Sequence, residues 1–137
     1  RIKNKVKNIP NIHLELDLVS GINVHNADIL ITDWSGIAFE FAFGTERPVL
    51  FINTPLKIDN PRYQELGIEP LEIFARNKIG ISVDLNQLHN VVQILDSFNN
   101  EKQAYHDQIV DFRNKYIYNW MKSASIGAEY IINLCKR

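Results

Sequence analysis

An α/β domain with a parallel sheet covered by helices on both faces is what this sequence predicts, and three observations carry that expectation. Asp28-Ile-Leu-Ile-Thr-Asp33 and Pro48-Val-Leu-Phe-Ile52 are continuous apolar runs, as strands buried on both faces require. Ser35 to Gly44, between them, has the composition of a helix. Ile79-Gly-Ile-Ser-Val83 is a third such run, followed by a segment of helical periodicity. Strand and helix in this rhythm give right-handed βαβ units, hence a Rossmann-like fold whose ligands bind at the carboxyl ends of the strands.

The composition excludes several other classes. With 45% hydrophobic and 23% charged residues the chain is not a disordered one, and 137 residues suffice for a single domain with its own core. Fifteen basic and sixteen acidic residues leave a formal charge of −1, so no broad basic surface advertises nucleic acid. The single Cys135 excludes a disulfide framework and suits a reducing, cytoplasmic setting. No apolar run reaches the roughly 20 residues of a membrane helix. The best candidate, Ile29 to Phe43, is interrupted by Asp33 and Glu40. No signal-peptide pattern is present, and Arg1 at the first position leads to the expectation that residues 1–137 are one domain excerpted from a longer protein.

Taken in order, the elements are these. Arg1 to Lys7 carries four cations and no acid, and reads as a frayed terminus, with contact to anionic lipid as its alternative. Ile12-His-Leu-Glu-Leu16 alternates with period two, the pattern of a strand with one wet face. Leu18 to Asn26 reads as a short helix or turn. The helix from Ser35 has that residue as its expected N-cap and Gly44 as its expected stop. Asn53 to Pro70, with prolines at 55, 61 and 70, is a long irregular segment with one short helix expected at 61–66; loops of this kind are often functional. After the third strand, Asp84 and Gln87 form an expected capping box for a helix whose apolar face is Leu85, Leu88, Val91, Val92, Leu95 and Phe98. Tyr105, Ile109, Phe112 and Tyr116 mark the core face of a further helix from Glu101 to Trp120, and Ser123 to Lys136 forms the last.

Thr32-Asp33-Trp34-Ser35-Gly36 joins a buried strand to a helix within a few residues. At such a helix start the backbone N–H groups are unpaired and the dipole is positive, which suits an anion. Ser35 adds a hydroxyl donor, and Gly36 lets a bulky phosphate approach the backbone. Glu40 is the one charge on an otherwise apolar helix and lies one turn beyond Gly36, about 6 Å along the axis. A nucleotide with its phosphates at Gly36 would bring its ribose near this carboxylate. The competing reading makes Ser35-Gly36 an ordinary helix start and pairs Glu40 with Arg47 or a buried tyrosine. Neither a GxGxxG spacing nor a P-loop occurs.

The stretch from Ala27 through Thr32-Asp33-Trp34-Ser35-Gly36 and Glu40, followed by Arg47-Pro-Val-Leu-Phe-Ile52, resembles the bacterial CDP-glycerol glycerophosphotransferases, the teichoic acid primases and polymerases. Their hallmark is a strand ending in Thr-Asp-Tyr-Ser-Ser, a helix carrying an Asp, then Lys-Pro and a hydrophobic strand. Here Trp34 stands for the Tyr, Gly36 for the second Ser and Glu40 for the Asp. Asp59-Asn-Pro-Arg62-Tyr63 is similar to the family's Asp-x-Tyr loop, and Phe112-Arg113 through Ser123-Ala-Ser125 to its C-terminal motif. The resemblance implies the C-terminal, nucleotide-binding half of a two-domain GT-B transferase. It implies transfer of glycerophosphate from CDP-glycerol to a hydroxyl of a polymer or lipid-linked acceptor, with release of CMP and without metal or cofactor. It also implies work at the inner face of the membrane, a partner N-terminal domain, and a catalytic base lying outside this chain.

Within that reading Thr32, Asp33, Trp34, Ser35, Gly36 and Glu40 are the expected nucleotide contacts, and Asp59, Arg62 and Tyr63 the candidate loop contacts. His13, His25, His89 and His106 stand at no metal-ligand spacing and read as solvated or core residues. Alternatives of the same architecture are a GT-B glycosyltransferase or a sugar-nucleotide 2-epimerase domain. An alternative of another class is a phospho-receiver with Asp33 as acceptor, which lacks a visible acidic cluster on the first strand.

Overall fold

The computed structural model describes residues 2–15, 22–56 and 62–136. Three strands, β1 (Leu30–Thr32), β2 (Val49–Asn53) and β3 (Gly80–Asp84), form a parallel sheet in the order β1-β2-β3. Val49 pairs with Leu30 on one side and with Gly80 on the other, and Asn53 lies opposite Asp84. Eight helices accompany the strands among the described residues: α1 (Ile2–Val6), α2 (Ile22–Asn26), α3 (Ile37–Thr45), α4 (Leu71–Phe74), α5 (Arg76–Ile79), α6 (Val91–Asn100), α7 (Lys102–Tyr116) and α8 (Ser123–Cys135).

The central strand explains the layering. Successive side chains of a strand point to opposite faces, so Val49 and Phe51 enter one core and Leu50 the other. On the first face they meet Ala38, Phe41 and Ala42 of α3, Ile79 of α5, and Ile109 and Phe112 of α7. On the second face Leu50 and Val83 meet Phe98 of α6, flanked by Ile94, Leu95 and Tyr105. Each large side chain removed from water in this way contributes about 1.5–3 kcal/mol. The α/β architecture with helices on both faces is therefore present as the apolar runs predict.

Several boundaries differ from expectation, each for a local reason. Ile12–Glu15 forms no strand, and Leu16 lies outside the described residues; an alternating pattern becomes a strand only where a sheet edge accepts its ladder, and here His13 and Glu15 are exposed. The helix after β1 begins at Ile37 with Gly36 as N-cap and no side-chain cap bond, so Ser35 is not the cap. Gly44 lies inside that helix, which ends at Glu46 in a left-handed conformation with its N–H on the Ala42 carbonyl. Asp84 makes no capping bond because its carboxylate accepts from Asn53 instead. Leu85–Asn90 is consequently a 3-10 segment rather than a first helical turn, and Leu85, Leu88 and Val92 are exposed instead of joining the apolar face. α7 stops at Tyr116, with Ile117 extended and both Asn119 and Met121 at positive φ, four residues short of Trp120. The proline-rich stretch holds the 3-10 turn Tyr63–Leu66 and is followed by α4 and α5, two one-turn helices that periodicity did not reveal.

Glu46 tolerates its left-handed backbone because its side chain joins α3 to α7. The buried Arg113 donates from Nη1 to the Phe43 carbonyl (2.6 Å) and from Nη2 to Glu46 Oε1 (2.8 Å), with its guanidinium 4.8 Å from the Trp120 ring centre. His106 Nε2 meets Glu46 Oε2 at 2.8 Å and Nδ1 meets Asp107 Oδ1 at 3.0 Å. Both ring nitrogens face carboxylates, which favours the imidazolium. The hydrogen bond to Asp107, then that to Glu46, raises the His106 pKa, while Arg113 above all and His106 after it lower that of Glu46.

Two outcomes are expected. A Cβ at Gly80 would run into the Val49 carbonyl of the neighbouring strand. Gly80→Ala therefore costs about 3 kcal/mol or more in denaturant unfolding. The second concerns pH. A raised His106 pKa means stabilisation that is complete below its ordinary value near 6.5 and lost as pH rises through the folded value; a lowered Glu46 pKa means stabilisation present above about 4.3 and lost as pH falls through the folded value. The melting-temperature gap between the wild type and His106→Gln is thus widest between those limits and narrows in alkaline buffer.

Candidate functional site

Parallel pairing brings the ends of all three strands, Thr32, Asn53 and Asp84, to one edge of the sheet. The turn Asp33–Gly36 leaves β1 there. Ser35 and Gly36 are exposed, the Ser35 carbonyl accepts from Ala38 N–H (3.2 Å) and the Gly36 carbonyl from Phe39 N–H (3.0 Å). Among the described residues the Ser35 and Gly36 N–H groups donate to no backbone carbonyl. No atom lies within 4 Å of a Cβ built on Gly36, whose backbone is ordinary right-handed helical. The positive end of α3 thus opens onto free space beside the carboxyl edge.

Beneath the turn lies a side chain that sequence patterns did not single out. Arg76 of α5 is only 4% exposed. It donates from Nη1 to the Asp33 carbonyl (3.2 Å), from Nη2 to Asn53 Oδ1 (2.7 Å) and from Nε to Ser82 Oγ (3.3 Å). Its guanidinium lies 3.8 Å from the Trp34 ring centre and 4.3 Å from that of Phe51. Burial lowers the Arg76 pKa and the Asp33 charge opposes that shift, and the group stays cationic. Asn53 Nδ2 in turn donates to Asp84 Oδ1 (2.7 Å), and Trp34 Nε1 donates to the Thr54 carbonyl (2.8 Å). In sequence Arg76 sits in Ala75-Arg-Asn-Lys78, indistinguishable from a solvated charge cluster. Ser82 inside an apolar strand was the one available signal, because a buried hydroxyl needs a partner.

The other expected residues fall out as follows. Thr32 and Trp34 are half-buried, and Asp33 and Glu40 are exposed. Glu40 is not the buried carboxylate that an apolar helix suggests: α3 buries Ala38, Phe41 and Ala42 and turns Glu40 to the outside, with no hydrogen bond or ion pair among the described residues. Arg47, offered by the sequence as its partner, donates instead to the carbonyls of Ala27 (2.7 Å) and His25 (3.3 Å). Arg62 grips Glu65 of the 3-10 turn that follows it, with Nη2 to Oε2 at 2.6 Å. Asp59 lies outside the described residues, and for Tyr63 the description stops at the backbone of that turn. A cavity of about 310 Å³ occurs at the opposite, amino edge of the sheet, among Asp28, Pro48, Glu46, Phe98 and His106, and shares no residue with the turn. Among the described residues no three His, Cys, Asp or Glu side chains are grouped to hold a metal ion, and no helix is long and apolar enough to cross a membrane.

Fold and turn together define a Rossmann-like α/β domain with an arginine-braced polar edge where its parallel strands end. Residues 23–125 match the family model of the CDP-glycerol:poly(glycerophosphate) glycerophosphotransferases. The chain belongs to this family of transferases. No curated protein and no solved structure matches it.

Since Ser35 caps nothing and Glu40 has no partner among the described residues, Ser35→Ala and Glu40→Ala each change unfolding free energy by no more than about 0.5 kcal/mol. A true N-cap serine would lose about 1 kcal/mol; chemical denaturation distinguishes the two.

Proposed function

We propose that residues 1–137 form the nucleotide-diphosphate-binding domain of a transferase that moves glycerophosphate from CDP-glycerol to a hydroxyl of a cell-surface polymer or its lipid-linked precursor. The observation that carries this reading is the exposed Ser35-Gly36 start of α3 at the carboxyl edge of a parallel sheet, in a chain that belongs to the glycerophosphotransferase family. In this scheme the domain is the C-terminal half of a GT-B enzyme, acting in the cytoplasm at the inner membrane face with an N-terminal partner domain.

The chemistry follows from the turn. The Ser35 hydroxyl, the Gly36 N–H and the dipole of α3 receive the diphosphate of the donor. An acceptor hydroxyl attacks the phosphorus that carries glycerol, its proton passes to a base outside this chain, and the P–O bond to CMP breaks. Charge then grows on the departing CMP, where the helix start stabilises it in the transition state. Thr32, Asp33 and Trp34 shape the wall of the turn. Glu40 would repel phosphate, so it serves the neutral ribose hydroxyls one helical turn further on.

The test is a titration of the chain with CDP, cytidine, UDP and ADP followed by backbone amide shifts. CDP is expected to move the Ser35 and Gly36 resonances. Glu40→Gln should weaken CDP by about 1–3 kcal/mol, Glu40→Ala by at least as much, and Ser35→Ala should weaken CDP far more than cytidine. Gly36→Ala keeps the fold, because its Cβ meets no protein atom, yet lowers CDP affinity. Shifts confined to other regions would refute the placement, and unchanged affinity in folded Glu40→Ala would refute the ribose role.

A further inference from the structure

We propose that Arg76 is the positioning residue of the anion-receiving turn, fixing the Asp33–Trp34 peptide ahead of Ser35 and placing a buried positive charge behind it. The inference rests on the nucleotide reading only for the identity of the ligand.

Three features single Arg76 out. First, each nitrogen of its guanidinium bonds to a different strand or its end: Asp33 O after β1, Asn53 Oδ1 on β2 and Ser82 Oγ on β3. A planar fork is needed to reach three acceptors at once, which a lysine ammonium cannot reproduce. Secondly, the group is sandwiched between Trp34 and Phe51, so the residue just before Ser35 is held by its ring as well as through the neighbouring carbonyl. Trp34 is pinned again by its indole N–H on Thr54 O. Thirdly, none of the three acceptors is a carboxylate, and no acidic side chain forms a salt bridge with Arg76 among the described residues. The exposed Asp33 carboxylate is near enough to act on Arg76 through space, yet makes no ion pair with it. A buried cation held by neutral acceptors is a poor device for stability alone, since apolar residues of similar volume commonly serve a core as well or better. Placed directly behind a positive helix end, its field adds to that of the dipole where an anion would sit.

Arg76 itself is too buried to touch a ligand. It acts through the Asp33–Trp34 peptide and through space, so its loss must affect the anionic part of a ligand and spare the neutral part. Arg76→Met removes fork and charge; Arg76→Lys keeps the charge and loses the fork. The chain and both variants are titrated with CDP, cytidine and inorganic pyrophosphate, and the unliganded amide shifts of Trp34, Ser35 and Gly36 are recorded. Arg76→Met is expected to bind CDP and pyrophosphate at least tenfold more weakly, with cytidine within twofold of the wild type. Arg76→Lys is expected to lie between the two and to move the three unliganded amide shifts. Should Arg76→Met not fold, Arg76→Lys carries the test alone. Unchanged shifts and unchanged pyrophosphate affinity in a folded variant overturn the proposal, as does a parallel loss of CDP and cytidine. Wild-type binding of pyrophosphate without CDP would sink the nucleotide reading and leave Arg76 in its role; binding of neither ligand would sink both.

Discussion

The two-sided burial of β2 is the constraint from which the rest of the architecture follows. Val49 and Phe51 leave the strand on one face and Leu50 on the other, and all three are essentially inaccessible to water. A strand of this kind must have a neighbour on each edge and helices over each face, because its N–H and C=O groups have no solvent to turn to and its side chains have no wet side. β1 and β3 supply the edges, α3 and α7 one cover, and α6 the other. Gly80 shows how closely the edges come: the register sets it against the backbone of Val49, where no side chain fits.

Parallel strands also have unlike ends, and each end here is braced by a buried arginine. At the amino edge Arg113 joins the end of α3 to α7 through Phe43 O and Glu46, a carboxylate that balances its charge. At the carboxyl edge Arg76 joins all three strand ends through neutral acceptors. The difference lies in the acceptors. The amino-edge brace is an ion network, whereas the carboxyl-edge brace rests on neutral acceptors beside the open start of α3, with the exposed Asp33 carboxylate acting on Arg76 only through space. The 310 Å³ cavity lies with the ion network and away from the open turn. The cavity and the exposed helix start therefore lie at different ends of the sheet. The proposed diphosphate site is placed at the helix start because N–H groups without a backbone acceptor among the described residues let an anion lose water without losing hydrogen bonds.

Membership of the glycerophosphotransferase family is what lets the proposed function assign phosphoryl chemistry to these features. A domain that receives a diphosphate must offer donors already oriented, because reorganising them during transfer would forfeit much of their stabilising effect. Under the proposed function that demand falls on the turn 33–36, which is fixed from below through Arg76 and Trp34 while no protein atom lies within 4 Å of a Cβ built on Gly36. Rigidity on one side and openness on the other are compatible because the bracing residue is buried beneath the turn, away from its exposed Ser35-Gly36 face.

Three apolar strand runs, the strand-to-helix turn at Thr32–Gly36 and a family motif around them are legible in the order of residues alone. These are local properties, carried by period, composition and spacing within a dozen residues or so. Tertiary structure alone decided the boundaries and the braces. Ser35 loses the capping role and Glu46 takes a left-handed end because Arg113 and His106 reach it across the fold. Leu85 and Leu88 are exposed because Asp84 bonds to Asn53 on the neighbouring strand rather than starting a helix. Arg76 left no trace in the sequence beyond Ser82 in its apolar strand, since two of its acceptors, Asp33 O and Asn53 Oδ1, stand 43 and 23 residues away in the chain. A charged side chain takes its environment from whichever distant groups the topology delivers to it, and no local pattern records which those will be.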